Sequence, residues 1–372
     1  MNDMNITIDE IAKALGADAL GDTSIVVTGV NSPANARSDE LALGMDESYA
    51  EALTQSKAET AIVWPDADWQ AMGFKAVIVA PRSRYTLSGV TYVFEKKPEI
   101  EPGVHPTAII DETAKIGANA AIGPFVVIGA NVVIGDNARI LSHSSVAEGA
   151  RIGNEALLYQ SVRIGARVKI GDGFICQAGT VVGVDGFSYV TPKPGAVEEA
   201  RKTGKISDAS KTEGFARINS LGSVIVGNNV EMGANCAIDR GTIENTSIGD
   251  GTKLDNLVHI GHNVTVGKTC LICGQVGIAG STVVGDRVVL GGQVGLADHI
   301  TVGSDVIVAG KSGVSSNIPS GRVMMGNPAM KMELNVESYK ALRRLPRTIS
   351  KMLQMEKKFT EMTENKNKES EK

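Results

Sequence analysis

The chain has 372 residues, enough for two or three modules, and its formal charge of −5 argues against nucleic acid, which would need a basic face. Hydrophobic residues make up 42% but aromatics only 4%, and 42 glycines exceed the usual share of about 7%. That balance excludes an aromatic core and points to an aliphatic, regular β architecture with frequent corners. No run approaches the roughly 18 apolar residues of a membrane span. The opening MNDMNITIDEIAKALGADAL is acidic and amphipathic, unlike a secretory signal. The four cysteines, with Cys270 and Cys273 as a lone CxxC, form neither a disulfide framework nor a zinc pair of pairs, so free thiols in a cytoplasmic protein are expected.

Residues 1–100 read as a small α/β domain, with helices at Ile8–Leu15 and Ser48–Ser56 and short buried strands at Ile25–Val30, Thr60–Trp64 and Ala76–Val79. A six-residue ruler then begins. Counted from Val104, an aliphatic residue falls at Ile110, Ile116, Ile122, Ile128, Ile134, Ile140, Val146, Ile152, Leu158, Ile164 and Ile170, then Cys176 and Val182, often followed by Gly. A polar, charged insertion, 184–222, interrupts it and is expected to leave the core as a long loop of the kind that is usually functional or disordered. The ruler resumes at Val226, Met232 and Ile238, slips by four residues around Arg240–Glu244, and runs from Ile248 to Val314, giving 29 positions in all. The segment Gly326–Ala329 is expected to end the coil. A helical extension follows over 326–372, with Pro346 starting its second helix and a disordered end.

A period of six fits neither a helix nor a simple strand. It fits a short strand plus a corner, with one inward side chain per hexad and the following residue, often Gly, easing the turn. Three sides make an 18-residue triangular coil. Stacked at the inter-strand spacing, the coils over 101–325 would form a prism about 45 Å tall whose core is shared between neighbouring coils.

The five histidines include His262, near a corner just after the inward Ile260, and His299, two coils and one residue later. Gly280 lies one coil beyond His262 on the same edge. An imidazole suits removal of a proton from an attacking amine, and a fixed backbone N–H suits a carbonyl oxygen gaining charge. On spacing alone, surface histidines in ordinary corners and a metal site remain open.

The segments DNLVHIGHNVTVG, GIAGS (Gly277–Ser281) and ADHITVG, with GVHPTAIID (Gly103–Asp111), GVDGFSY (Gly183–Tyr189) and GANCAIDRGTIENTSIG (Gly233–Gly249), resemble the UDP-3-O-acylglucosamine N-acyltransferase family of lipid A biosynthesis over nearly the whole chain. The resemblance implies a mainly β protein: a left-handed parallel β-helix between an N-terminal uridine-nucleotide-binding α/β domain (1–100) and a C-terminal helical tail. It also implies a homotrimer with sites in the clefts between subunits, and neither an organic cofactor nor a metal. Acyl carrier protein bearing a 3-hydroxyacyl chain would be the donor, and the 2-amine of UDP-3-O-acyl-glucosamine the acceptor.

Carried over by residue, the resemblance makes His262 the general base and the Gly280 N–H the oxyanion donor. His299 and Asn256 become substrate contacts, and Tyr49 stacks on the uracil. Asp46-Glu47 stands where the family usually has Asn-Pro, and Leu43 where it has Phe; Asp46 can accept from the base but not donate. Lys340, Arg343, Arg344, Arg347 and Lys351 would dock the acidic carrier protein, and Met324, Met325, Met330 and Met332 would line an acyl groove or pack the junction. Three alternatives differ in sequence. A UDP-N-acetylglucosamine O-acyltransferase should lack residues 1–100. A trimeric β-helix zinc hydratase should carry a third ligand where Ser304-Asp305-Val306 stands, and a non-enzymatic scaffold needs no His262.

Overall fold

The computed structural model describes residues 5–96, 98–208, 214–326 and 329–370, with side chains described as far as 362. Contacts divide the chain into two units, Met1–Glu99 and Ile100–Lys372.

In the first unit a five-stranded sheet runs in the order Asp18–Gly21, Ala76–Val79, Thr60–Val63, Glu40–Gly44, Gly29–Asn31. All its pairs are parallel except the first. Alternate side chains feed two cores: Leu41, Ile62 and Ile78 in one, Ala42, Ala61, Val63 and Val77 in the other. Burial on both faces explains the unbroken apolar strands. The helix Ile8–Leu15 buries Ile8, Ile11 and Ala12, is opened by a Thr7/Glu10 capping box and closes on Gly16 in the left-handed region.

Three elements escaped the pattern, Asp18–Gly21 among them, and the expected strand Ile25–Val30 is divided into Val26–Val27 and Gly29–Asn31. Glu40–Gly44 is short and ends in Gly, and the helix Ser83–Val93 is rich in β-branched residues and contains Gly89, so tertiary packing overrides weak propensity at both. The expected helix at Ser48–Ser56 is a 3-10 turn, Glu47–Tyr49, running into a short helix, Ala50–Thr54. Asp46 caps that turn.

Among the described residues of the second unit, thirty strands, most of them two residues long, form three parallel sheets of nine, eleven and ten. Strands 18 residues apart pair in register, as Ile116 with Ile134 and Ile260 with Ile278. The unit is therefore a three-sided parallel β-solenoid, as the period of six requires.

The side-chain count per hexad is corrected. Beside the ruler position, the residue two before it is also buried: Val126 with Ile128, Val132 with Ile134, Val162 with Ile164. Both sets join one continuous core. Each large aliphatic side chain buried here is worth about 1.5–3 kcal/mol, so a core in which Phe174 is the one aromatic ring among the described residues can hold.

The role of glycine is also corrected. The left-handed corner is carried by the residue three after the ruler position, often Asn (Asn119, Asn131, Asn137, Asn229, Asn235, Asn263). Asn tolerates that conformation better than most residues. Glycine after the ruler residue serves close approach instead. A Cβ on Gly135 would meet the backbone of the next coil at 2.5 Å.

The insertion has structure of its own: Val181–Asp185 continues the third sheet, Tyr189–Val190 pairs antiparallel with Ala216–Arg217, and Ala196–Thr203 is helical. Its hairpin and helix enclose an apolar cleft of about 620 Å3 lined by Phe187, Tyr189, Val197 and Phe215. The solenoid outlasts the ruler: Val323–Met324 still pairs with Ile307–Val308. Of the Gly326–Ala329 segment expected to end the coil, residues 327 and 328 lie outside the described residues. Pro346 does not start a second helix; it lies inside one helix, Met332–Ser370, which also runs through most of the end expected to be disordered. Good helix formers on both sides of Pro346 outweigh the one lost backbone bond. No helix of the described residues is long and apolar enough to cross a membrane.

Candidate active site

His262, Gly280 and Asp298 each stand two residues beyond a strand of the ten-stranded sheet: His259–Ile260, Gly277–Ile278 and Gly295–Leu296, which are consecutive neighbours. The regular coil stacks these three positions in one column at a single corner. His299 follows Asp298 at the left-handed position, with φ +57°. Backbone hydrogen bonds tie the column together: Ser281 N–H donates to His262 C=O (2.9 Å) and His299 N–H to Gly280 C=O (3.1 Å). Sequence spacing placed these residues on one edge, and the structure brings them together there.

The imidazole of His262 is half-buried and lies against Gly280. A Cβ on Gly280 would be 2.8 Å from both Nε2 and Cε1. On its other side the ring meets the insertion, where a Cβ on Gly186 would lie 2.8 Å from the His262 Cβ. At another corner of the solenoid the equivalent N–H groups are capped by the next coil's side chain: Ala118 N–H by Asp136 (2.7 Å), Asp136 N–H by Asn154 (2.8 Å). The residue one coil beyond Gly280 is Asp298, and both of its carboxylate oxygens accept from Arg201 of the insertion helix, at 3.2 and 3.3 Å. The Gly280 N–H makes no hydrogen bond to a described residue. It is a donor without an acceptor beside an imidazole.

Two further residues near His262 were not singled out by spacing. Asn263 Oδ1 lies 3.0 Å from His262 Nδ1 and also accepts from Thr242 N–H at 3.0 Å. Its Nδ2 donates to Glu244 C=O at 3.0 Å, and its own N–H to Thr246 Oγ1 at 2.9 Å. Asp239, only 5% exposed, sits on the neighbouring strand with Oδ2 3.6 Å from His259 Nε2. Burial raises the Asp239 carboxyl above the ordinary carboxylate range, while the imidazoles of His259 and His262 pull it back down. Asn263 was hidden because Asn recurs at left-handed corners throughout the coil. Asp239 was hidden because nothing in a period of six marks it as buried.

Asn256 lies at a different corner from His262, after Lys253–Leu254 of the eleven-stranded sheet. Its Oδ1 caps Ala234 N–H at 2.6 Å, one rung of the side-chain ladder. Within one chain it does not join the histidine column. In the first unit, Asp46 Oδ1 accepts from Ser48 N–H (3.0 Å) and Ser48 Oγ (2.7 Å), which holds its carboxyl below the usual range. Tyr49, next along that turn, is 46% exposed.

All four cysteines are free thiols. Burial pushes Cys176, Cys236 and Cys270 toward the neutral form. Among the described residues no three His, Cys, Asp or Glu side chains converge as a metal ion would need.

Comparison with known proteins gives concordant matches. A family model described as the GMPPB C-terminal domain matches residues 104–187, within the solenoid. A solved structure of UDP-N-acetylglucosamine acyltransferase from Arabidopsis matches with TM-score 0.51 and 23% identity, covering 60% of this chain and 71% of that one, a likeness of fold. The chain is 57% identical to the UDP-3-O-acylglucosamine N-acyltransferase of Ruegeria pomeroyi, covering 93% of this chain and 95% of that protein. It is 47% identical to the protein of that name from Paracoccus denitrificans, over 74% and 76%. Coverage of the Ruegeria protein takes in the α/β unit as well as the solenoid, and the chain belongs to the UDP-3-O-acylglucosamine N-acyltransferase family.

Proposed function

We propose that this chain transfers a 3-hydroxyacyl group from acyl carrier protein to the 2-amine of UDP-3-O-acyl-glucosamine. The observation that carries this reading is the His262 imidazole lying against Gly280, whose N–H has no acceptor among the described residues. The amine nitrogen attacks the thioester carbonyl carbon while His262 Nε2 takes its proton. The oxyanion is held by the Gly280 N–H, and glycine there admits the carbonyl closely. Collapse breaks the C–S bond; the carrier's thiol leaves with the proton from the imidazolium, and an amide remains.

His299 contacts the sugar or phosphate two coils along from His262. Asn256 joins the substrate from its own corner, and Tyr49 stacks on uracil with Asp46 beside it. The Ruegeria and Paracoccus relatives named for this substrate support the reading. A homotrimer in the cytoplasm, with the basic face of the C-terminal helix docking the carrier protein, completes it.

The test is an acyl-transfer assay with acyl carrier protein donors of several chain lengths and the UDP-amino sugar. His262→Ala should lower turnover at least about 100-fold, the low end for loss of a general base. Unchanged turnover overturns the assignment.

A further inference from the structure

The four-residue slip that interrupts the ruler around Arg240–Glu244 has a structural consequence at His262. Opposing residues on either side of it are 22 apart instead of 18, as with Ala234 and Asn256. The extra length forms a turn in which Thr242 points its N–H, and Glu244 its C=O, at the side chain of Asn263. A backbone N–H can only donate and a backbone C=O can only accept, so these two bonds fix which end of the Asn263 amide is oxygen. The oxygen is the end 3.0 Å from His262 Nδ1.

We infer that Asn263, oriented by the turn at Thr242–Glu244, is a positioning residue that holds the proton of neutral His262 on Nδ1 and leaves the Nε2 lone pair facing Gly280. An amide oxygen has no hydrogen to give, so the contact forms only if Nδ1 donates. Free histidine side chains in water favour the opposite form, with hydrogen on Nε2. In that form the nitrogen beside Gly280 would have no lone pair for an amine proton. The slip thus converts an ordinary solenoid corner into one that selects a tautomer. Its catalytic meaning rests on the proposed role of His262 as base; the proton's position does not.

Two readouts separate these. Neutron diffraction from perdeuterated crystals of the full chain at about pH 8 should show deuterium on Nδ1 of His262 and none on Nε2. In Asn263→Ala it should move largely to Nε2. In acyl-transfer assays Asn263→Ala should lower kcat about 10–100-fold with KM for the UDP-sugar within about twofold.

Asn263→Asp retains the acceptor and serves if the alanine variant does not fold. It should keep the Nδ1 deuteron, and its carboxylate should favour the imidazolium, moving the acid limb of kcat/KM to higher pH. Asp239 on the neighbouring strand, His259 on the strand that leads into His262, and Asp298 with Arg201 beyond Gly280 are unchanged by the substitution, so the shift reads position 263. Deuterium on Nε2 in the unsubstituted protein overturns the inference, and so does an Asn263→Ala protein with unaltered proton placement and kcat. Deuterium on Nδ1 together with full activity of His262→Ala would leave the inference standing and remove the base.

Discussion

The imidazole of His262 rests on the bare Cα of Gly280, one coil along: a methyl group there would come within 2.8 Å of Nε2. No room exists for it without moving the ring. Gly280→Ala should therefore leave the solenoid folded, because position 280 has φ outside the left-handed region, while turning His262 away from the substrate. A kcat loss of about 10–100-fold with an unchanged melting temperature is expected, on the scale of one misaligned catalytic group. Steady-state kinetics beside calorimetry decides it; full activity would mean that the ring needs no such closeness.

Asp239 makes stability depend on pH. Its carboxyl is raised in the folded protein, chiefly by burial, so the folded state binds its proton more tightly than the unfolded chain does. The resulting stability is complete below the unfolded value of about 3.9 and is lost as pH rises through the higher folded value. Asp239→Asn removes that loss. Thermal unfolding from pH 3 to 8 should show the variant equal to the parent at pH 3 and increasingly more stable than the parent toward neutral pH. A variant less stable at pH 7 would mean that the charged form is well satisfied by His259 and His262.

Two kinds of corner residue should fail differently. At Gly135 the obstacle is space, since a Cβ meets the Gly153 carbonyl carbon at 2.5 Å, so Gly135→Ala should cost about 1–3 kcal/mol as an overpacked site. At Asn137 the obstacle is backbone conformation, φ +56°. Asn137→Gly should be nearly neutral and Asn137→Val should cost about 1–2 kcal/mol. Denaturant midpoints of the three variants test this; equal losses for Asn137→Gly and Asn137→Val would contradict it.

Arg201 fastens the insertion helix to the column at Asp298 with both ends substantially exposed. An exposed pair of this kind contributes about 0–1 kcal/mol. Arg201→Ala should thus leave solenoid melting unaltered but expose 184–222 to limited proteolysis several-fold faster. An unchanged cleavage rate would show that the insertion is held without Arg201, by its strand pairing at Val184–Asp185 and the packing of Gly186 on His262.

Much of this protein is legible in its sequence because a solenoid repeats one local rule. Ile116, Ile134 and Ile152 are 18 apart in the chain and paired in space, so arithmetic alone puts His262, Gly280 and His299 on one edge. The α/β unit yields less: Glu40–Gly44 and Ser83–Val93 carry weak local signals and take their form from packing on both faces of a sheet.

The sequence determined the period, the three-sided coil, the aliphatic core and the column of residues at the site, since each follows from side chains recurring at fixed steps. Only tertiary structure decided what surrounds that column. Asn263 looks like any other corner Asn until the turn at Thr242–Glu244 orients its amide, and Asp239 becomes perturbed only when neighbouring strands bury it. Asp298 finds its partner in Arg201, 97 residues away, which no period of six announces. Periodicity is a local property of the chain, whereas hydrogen-bond direction, burial and charge pairing depend on atoms brought together by folding.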